Sequence, residues 1–116
     1  MAKTKIAIYH NPRCSKSRQT LALVREAGHE PEIIEYLQDP PDAKTIASLL
    51  RKLGLSPQEL IRAKEHRALG LPATDDPVDL IARMAAHPEI IERPIVVAGR
   101  QARLGRPPEQ VKEILP

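Results

Sequence analysis

Between Thr4 and Tyr36 the spacing of apolar residues changes twice, and this constrains the fold more than any other feature of the chain. Ile6 and Ile8 alternate, the mark of a strand over residues 4–9. Leu21, Val24 and Ala27 then recur at helical spacing within residues 15–27, until Gly28 stops the pattern. A short run from Pro31 to Tyr36 carries Ile33 and Ile34 and reads as a second strand. Two such strands joined by one helix pair in parallel, through a right-handed crossover. The loop before the helix contains Tyr9-His10-Asn11-Pro12-Arg13-Cys14-Ser15-Lys16-Ser17-Arg18, with the only cysteine of the 116 residues.

Downstream, Asp39-Pro40-Pro41 breaks the second strand. Asp42 is placed to cap a helix with Ile46, Leu49, Leu50 and Leu53 on one face and Gly54 at its end. Ser56-Pro57-Gln58-Glu59 is a capping box that opens a short helix through Leu60 and Ile61, ending near Arg62. Residues 63–75 lack a strong period, and Gly70 and Pro72 mark them as a surface loop. Asp76-Pro77 starts a third helix with Leu80, Ile81 and Met84 inward, stopping before His87-Pro88. Arg93-Pro94-Ile95-Val96-Val97-Ala98 is the most β-prone run. Gly99-Arg100 turns it into a strand over Gln101 to Leu104, and Pro107-Pro108-Glu109 opens a last helix carrying Val111, Ile114 and Leu115.

The expected order is therefore β-α-β, a helical insertion at about 42–88, then β-β-α, in a single α/β domain spanning 1–116 with a mixed four-stranded sheet. That order resembles the thioredoxin fold, with a cysteine in the first strand-to-helix loop and a proline opening the third strand. The resemblance implies that Pro94 is cis and faces the cysteine.

Composition narrows the function classes. A net charge of +3 is modest, and Tyr9 and Tyr36 are the only aromatic residues, too few for the stacking platforms that bind single-stranded nucleic acid. No run of about 18 apolar residues exists to cross a membrane, and no apolar leader follows Met1. A single cysteine excludes an internal disulfide, and with no export signal it points to a reducing cytoplasm.

Cys14 sits at or just before the first helical turn. Free N–H groups and the positive end of the helix dipole there favour a thiolate, and Arg13, Lys16 and Arg18 act in the same direction. The alternative is a buried, inert cysteine. Metal binding is poorly supported, because His10 and Cys14 supply only two ligands. A phosphatase loop requires an arginine six positions after its cysteine, where this chain has Thr20. The second position of a C-x-x-C motif is Ser17, so any adduct on Cys14 must be resolved by a thiol from another molecule.

Arg62, Arg93 and Arg106 lie at the ends of elements. Each alone reads better as a solvated side chain, but arginine is the residue that binds tetrahedral oxyanions bidentately. His10 either tunes the thiolate and moves protons or is bonded to the loop backbone. Asn11 and Ser15 are candidates to shape the loop or donate to an anion. His29, His66 and His87 are assigned to the surface.

These motifs resemble, as an ordered set, the glutaredoxin-coupled arsenate reductases, the ArsC family. The resemblance rests on the segment from Ile8 to Leu21, on Glu35-Tyr36-Leu37, Leu60-Ile61-Arg62, Asp75-Asp76 and His87-Pro88, and on Arg93-Pro94-Ile95-Val96-Val97 and Arg103-Leu104-Gly105-Arg106-Pro107. It implies Cys14 as nucleophile, Arg62, Arg93 and Arg106 as arsenate ligands, and His10 beside the thiolate. It further implies glutathione as co-substrate, glutaredoxin as partner, and no bound cofactor. The residue before the last arginine is cysteine in some members and Gly105 here, a position not thought to carry the chemistry. Two other readings stay open: a thiol reductase of other substrate within the family, and a regulator that binds RNA polymerase like the related Spx proteins.

Overall fold

The computed structural model describes residues 4–116, which form two compact units. The first comprises the chain up to Asp39 together with Arg93–Pro116, and the second is Pro40–Glu92.

The first unit contains β1 (Ile6–Tyr9), α1 (Ser15–Glu26), β2 (Glu32–Ile34), β3 (Ile95–Ala98) and β4 (Gln101–Leu104). The strands form one mixed sheet in the order β2-β1-β3-β4. Strand β1 runs parallel to β2, with Ile8 opposite Ile33, and antiparallel to β3, with Ile8 opposite Val96. Strands β3 and β4 form the expected hairpin, turning at Gly99 in the left-handed region (φ 62°). The first two strands are shorter than their sequence patterns; β2 is an edge that pairs on one side only, and its ladder spans three residues.

Ile6, Ile8, Leu21, Val24, Val96, Ala98, Val111 and Ile114 make the core of this unit. Each such aliphatic side chain, fully buried, contributes roughly 1.5–3 kcal/mol. The C-terminal segment supplies Val111 and Ile114 but departs from the expected α-helix. Pro108–Glu113 is a 3₁₀ segment, with Gln110 N–H bonded to Pro107 and Ile114 N–H to Val111. Pro107 and Pro108 lack N–H groups, and so short a segment gains little from α-type bonds.

The second unit holds α2 (Ala43–Leu53), α3 (Pro57–Leu60), α4 (Ala63–Ala68), α5 (Pro77–Ala86) and a 3₁₀ turn over Pro88–Ile90. Asp42 accepts the Thr45 N–H at 2.8 Å, and Gly54 ends α2 at φ 70°. Ser56 and Glu59 form the capping box. Ile46, Leu49, Leu50, Leu60, Leu80, Met84 and Ile90 are buried.

Helix α4 corrects the expected loop over residues 63–75. None of its six residues is buried, so no apolar stripe marks it in the sequence. His66, expected on the surface, is only partly exposed there, and its Nε2 accepts from Arg83 Nη1 at 3.0 Å. No helix among the described residues is long and apolar enough to cross a membrane.

Candidate active site

Cys14 is the N-cap of α1, with extended backbone (φ −94°, ψ 123°). The loop is built to hold it there. Asn11 accepts the Arg13 N–H on Oδ1 at 3.0 Å and the Cys14 N–H on its carbonyl at 3.0 Å, and Pro12 restricts the backbone between them. Arg18 reaches back to donate to the Pro12 carbonyl at 2.9 Å. Asn11 thus shapes the loop, while Ser15 is the exposed first residue of α1.

Burial by itself raises the Cys14 thiol and is the largest single influence. The N–H groups of Ser17 and Lys16, followed by the charges of Arg106 and Arg93, outweigh it, and the thiol titrates below its ordinary value. Arg106 Nη2 lies 3.8 Å from Cys14 Sγ. Its Nε donates to the Arg93 carbonyl at 2.8 Å, which fixes the guanidinium in place. The Arg93–Pro94 and Arg106–Pro107 peptides are both cis. Gly105 N–H bonds the Pro94 carbonyl at 2.9 Å, so the segments carrying the two arginines are tied together.

His10 is buried, and its Nδ1 lies 2.6 Å from Ser17 Oγ. Burial lowers its pKa first, with Arg25 and Arg18 adding to the effect and Glu35 opposing it, so the neutral ring is favoured. Ser17 is fully buried and also accepts the Asn11 N–H at 3.1 Å. Sequence reasoning noted only that Ser17 closes no disulfide. A signal for its role did exist: Ser17, Thr20, Leu21 and Val24 follow helical spacing and are the buried residues of α1. Extending the apolar stripe one turn toward the N-terminus lands on a serine in the core face.

Arg62 lies in the helical unit, as N-cap of α4 rather than at a free helix end. Its Nε donates to Glu65 Oε2 at 3.0 Å and its Nη1 to Glu92 Oε1 at 3.1 Å. Arg103, in β4, turns to Glu113 at 2.9 Å. Among the described residues no group of three His, Cys, Asp or Glu is arranged to hold a metal ion.

One thiol thus caps the N-terminus of α1 with an arginine at its sulfur. A model of the ArsC family matches residues 9–114. The chain belongs to the ArsC family. It is 51% identical over 115 residues to the uncharacterized protein YfgD of Escherichia coli (strain K12), covering 96% of this chain and 97% of that one. It is 45% identical over 118 residues to an arsenate reductase of the same strain, covering 97% of this chain and 82% of that protein. A solved arsenate reductase from Vibrio cholerae superimposes with a TM-score of 0.92 at 46% identity, covering 98% of this chain and all of that one. In this ArsC chain the loop combines a thiol of lowered pKa, backbone donors and a fixed cation at the sulfur. Those are the parts needed to attack an electrophilic centre that carries negative oxygens.

Proposed function

We propose that this protein reduces arsenate to arsenite. The observation that carries the reading is Arg106, anchored on the Arg93 carbonyl, with its guanidinium at the Cys14 sulfur. A cation held there both stabilises the thiolate and meets an oxyanion brought to it. Relatives at 42–45% identity named as arsenate reductases support the same substrate.

Arg93 and Arg106, with the loop N–H groups and Asn11 and Ser15, hold the arsenate, and Arg62 of the helical unit is a further anion ligand. The Cys14 thiolate attacks arsenic, and an oxygen leaves as hydroxide or water. The arginines offset the charge that builds on the remaining oxygens, an electrostatic role that needs no proton transfer. His10, neutral and fixed on Ser17, holds the loop and the thiolate environment in place.

Glutathione then attacks the adduct. The two sulfurs end as a mixed disulfide, their two electrons reduce arsenic, and arsenite departs. Glutaredoxin reduces the mixed disulfide and restores the thiol. The need for external thiols follows from the single cysteine, and such chemistry belongs in a reducing cytoplasm.

The test is an arsenite-release assay with glutathione and glutaredoxin each omitted in turn. Release should require both donors and vanish in Cys14→Ser. Arsenite formed by the serine variant, or none formed by the wild type with both donors present, rejects the mechanism.

A further inference from the structure

Arg62 is held by two carboxylates at once. Glu65 Oε2 takes its Nε at 3.0 Å and Glu92 Oε1 takes its Nη1 at 3.1 Å. Arg62, Glu65 and Glu92 are 24%, 30% and 26% exposed, so solvent screens these pairs only in part. The cluster is also fixed through the backbone. Glu65 lies one turn along α4, and Glu92 follows the isolated bridge between Ile61 and Ile91. The Arg62 N–H bonds the Ile90 carbonyl at 2.7 Å, and the Glu92 N–H bonds the Leu60 carbonyl at 2.7 Å.

A guanidinium grips a tetrahedral oxyanion through N–H groups on two of its nitrogens, as a fork. Here Nε and Nη1 each already serve a carboxylate, so either fork has at least one nitrogen engaged. The carboxylates of Glu65 and Glu92 also place two negative charges against the single positive charge of Arg62. A dianion brought to Arg62 meets that charge at close range, and a monoanion meets half as much repulsion.

We infer that Glu65 and Glu92 are specificity-determining residues that weaken the hold of Arg62 on doubly charged tetrahedral oxyanions. The inference rests on the reading of Arg62 as an anion ligand, and both carboxylates act through Arg62 rather than on the reacting atoms.

The experiment is titration calorimetry of the full chain with two probes at one pH and ionic strength. Sulfate is a tetrahedral dianion and perchlorate a tetrahedral monoanion. Glu65→Gln and Glu92→Gln each keep an oxygen for the Arg62 contact and remove a charge. Sulfate should bind about three- to fivefold tighter for each charge removed, the scale of a partly screened pair, with a smaller change for perchlorate. The gain should disappear when Arg62→Ala is combined with either variant. Glu92→Asp, which keeps the charge, should retain the wild-type preference.

Weaker binding of both anions in the glutamine variants would mark a purely structural role and overturn the inference. The same gain without Arg62, or no sulfate binding by any variant, would overturn it too. Calorimetry needs no turnover, so the two readings fail separately. Tighter sulfate binding in the variants beside a wild type that releases no arsenite sinks the reductase reading alone. Arsenite release with unchanged sulfate affinity sinks this inference alone.

Discussion

Ser17 Oγ lies 2.6 Å from Nδ1 of the buried His10 and accepts the N–H of Asn11 at 3.1 Å. These contacts fasten the first turn of α1 to the end of β1, while the N–H of Ser17 itself lowers the pKa of the Cys14 thiol. The residue that cannot close a disulfide has become a support for the thiolate.

Ser17→Ala should therefore reduce both stability and thiol reactivity. It leaves the Asn11 N–H and the His10 ring without their shared partner, at a cost of about 1–3 kcal/mol. Urea denaturation measures the first effect. The rate of Cys14 alkylation by iodoacetamide against pH measures the second, and its midpoint should move up.

Arg106→Ala removes the cation at the sulfur and should raise the same alkylation midpoint, with a fall in rate at neutral pH. Arg106→Lys keeps a charge but loses the fixed Nε contact with the Arg93 carbonyl, so it should fall between the alanine variant and the wild type. Arg93→Ala should shift the midpoint less than Arg106→Ala, since Arg106 has the larger effect on the thiol. An unchanged midpoint in Arg106→Ala would show that the backbone donors alone hold the thiolate.

Stability should fall on acidification. His10 has a folded pKa below the free value of about 6.5, so between the two values the unfolded chain binds more protons, and stability rises with pH there. The His10 contribution is complete above the free value and is lost as pH drops through the folded one. The lowered thiol of Cys14 has the same sign, in the window between its folded and unfolded pKa values. The urea midpoint should drop from pH about 7.5 to about 5.5, and His10→Gln should flatten that dependence.

Gly105→Ala should be poorly tolerated. An added Cβ would come within 2.8 Å of Pro94 Cγ and closer still to the Thr20 hydroxyl. Thr20 is buried and its hydroxyl donates to the Lys16 carbonyl at 2.7 Å, so it has little freedom to yield. Overpacking of this kind costs about 1–3 kcal/mol. The strain falls beside Arg106, so thermal melting should drop and the Cys14 alkylation midpoint should rise together. Some members carry cysteine at this position; in this chain Thr20 and Pro94 crowd the space a side chain would need.

Much of the architecture was legible because it is written locally. The change from period two to helical spacing around Cys14, the Asp42 cap, the Ser56–Glu59 box and the glycine turn at Gly99 each depend on residues a few positions apart. Helix α4 is not legible in this way, because it buries no residue and so has no stripe to find. In the C-terminal segment Val111 and Ile114 suit either helical form, and the bond pattern is settled by two prolines and by packing.

The sequence by itself determined that one thiol sits at the start of a helix, that no second cysteine can resolve it, and that arginines lie at the ends of the surrounding elements. Only the tertiary structure decided that Arg106 reaches the sulfur, that Ser17 is fastened to His10, and that Arg62 is shared between Glu65 and Glu92. The physical reason is reach. Capping and periodicity act over one or two turns of chain, whereas Arg106 and Cys14 are 92 positions apart and meet only once the sheet has folded.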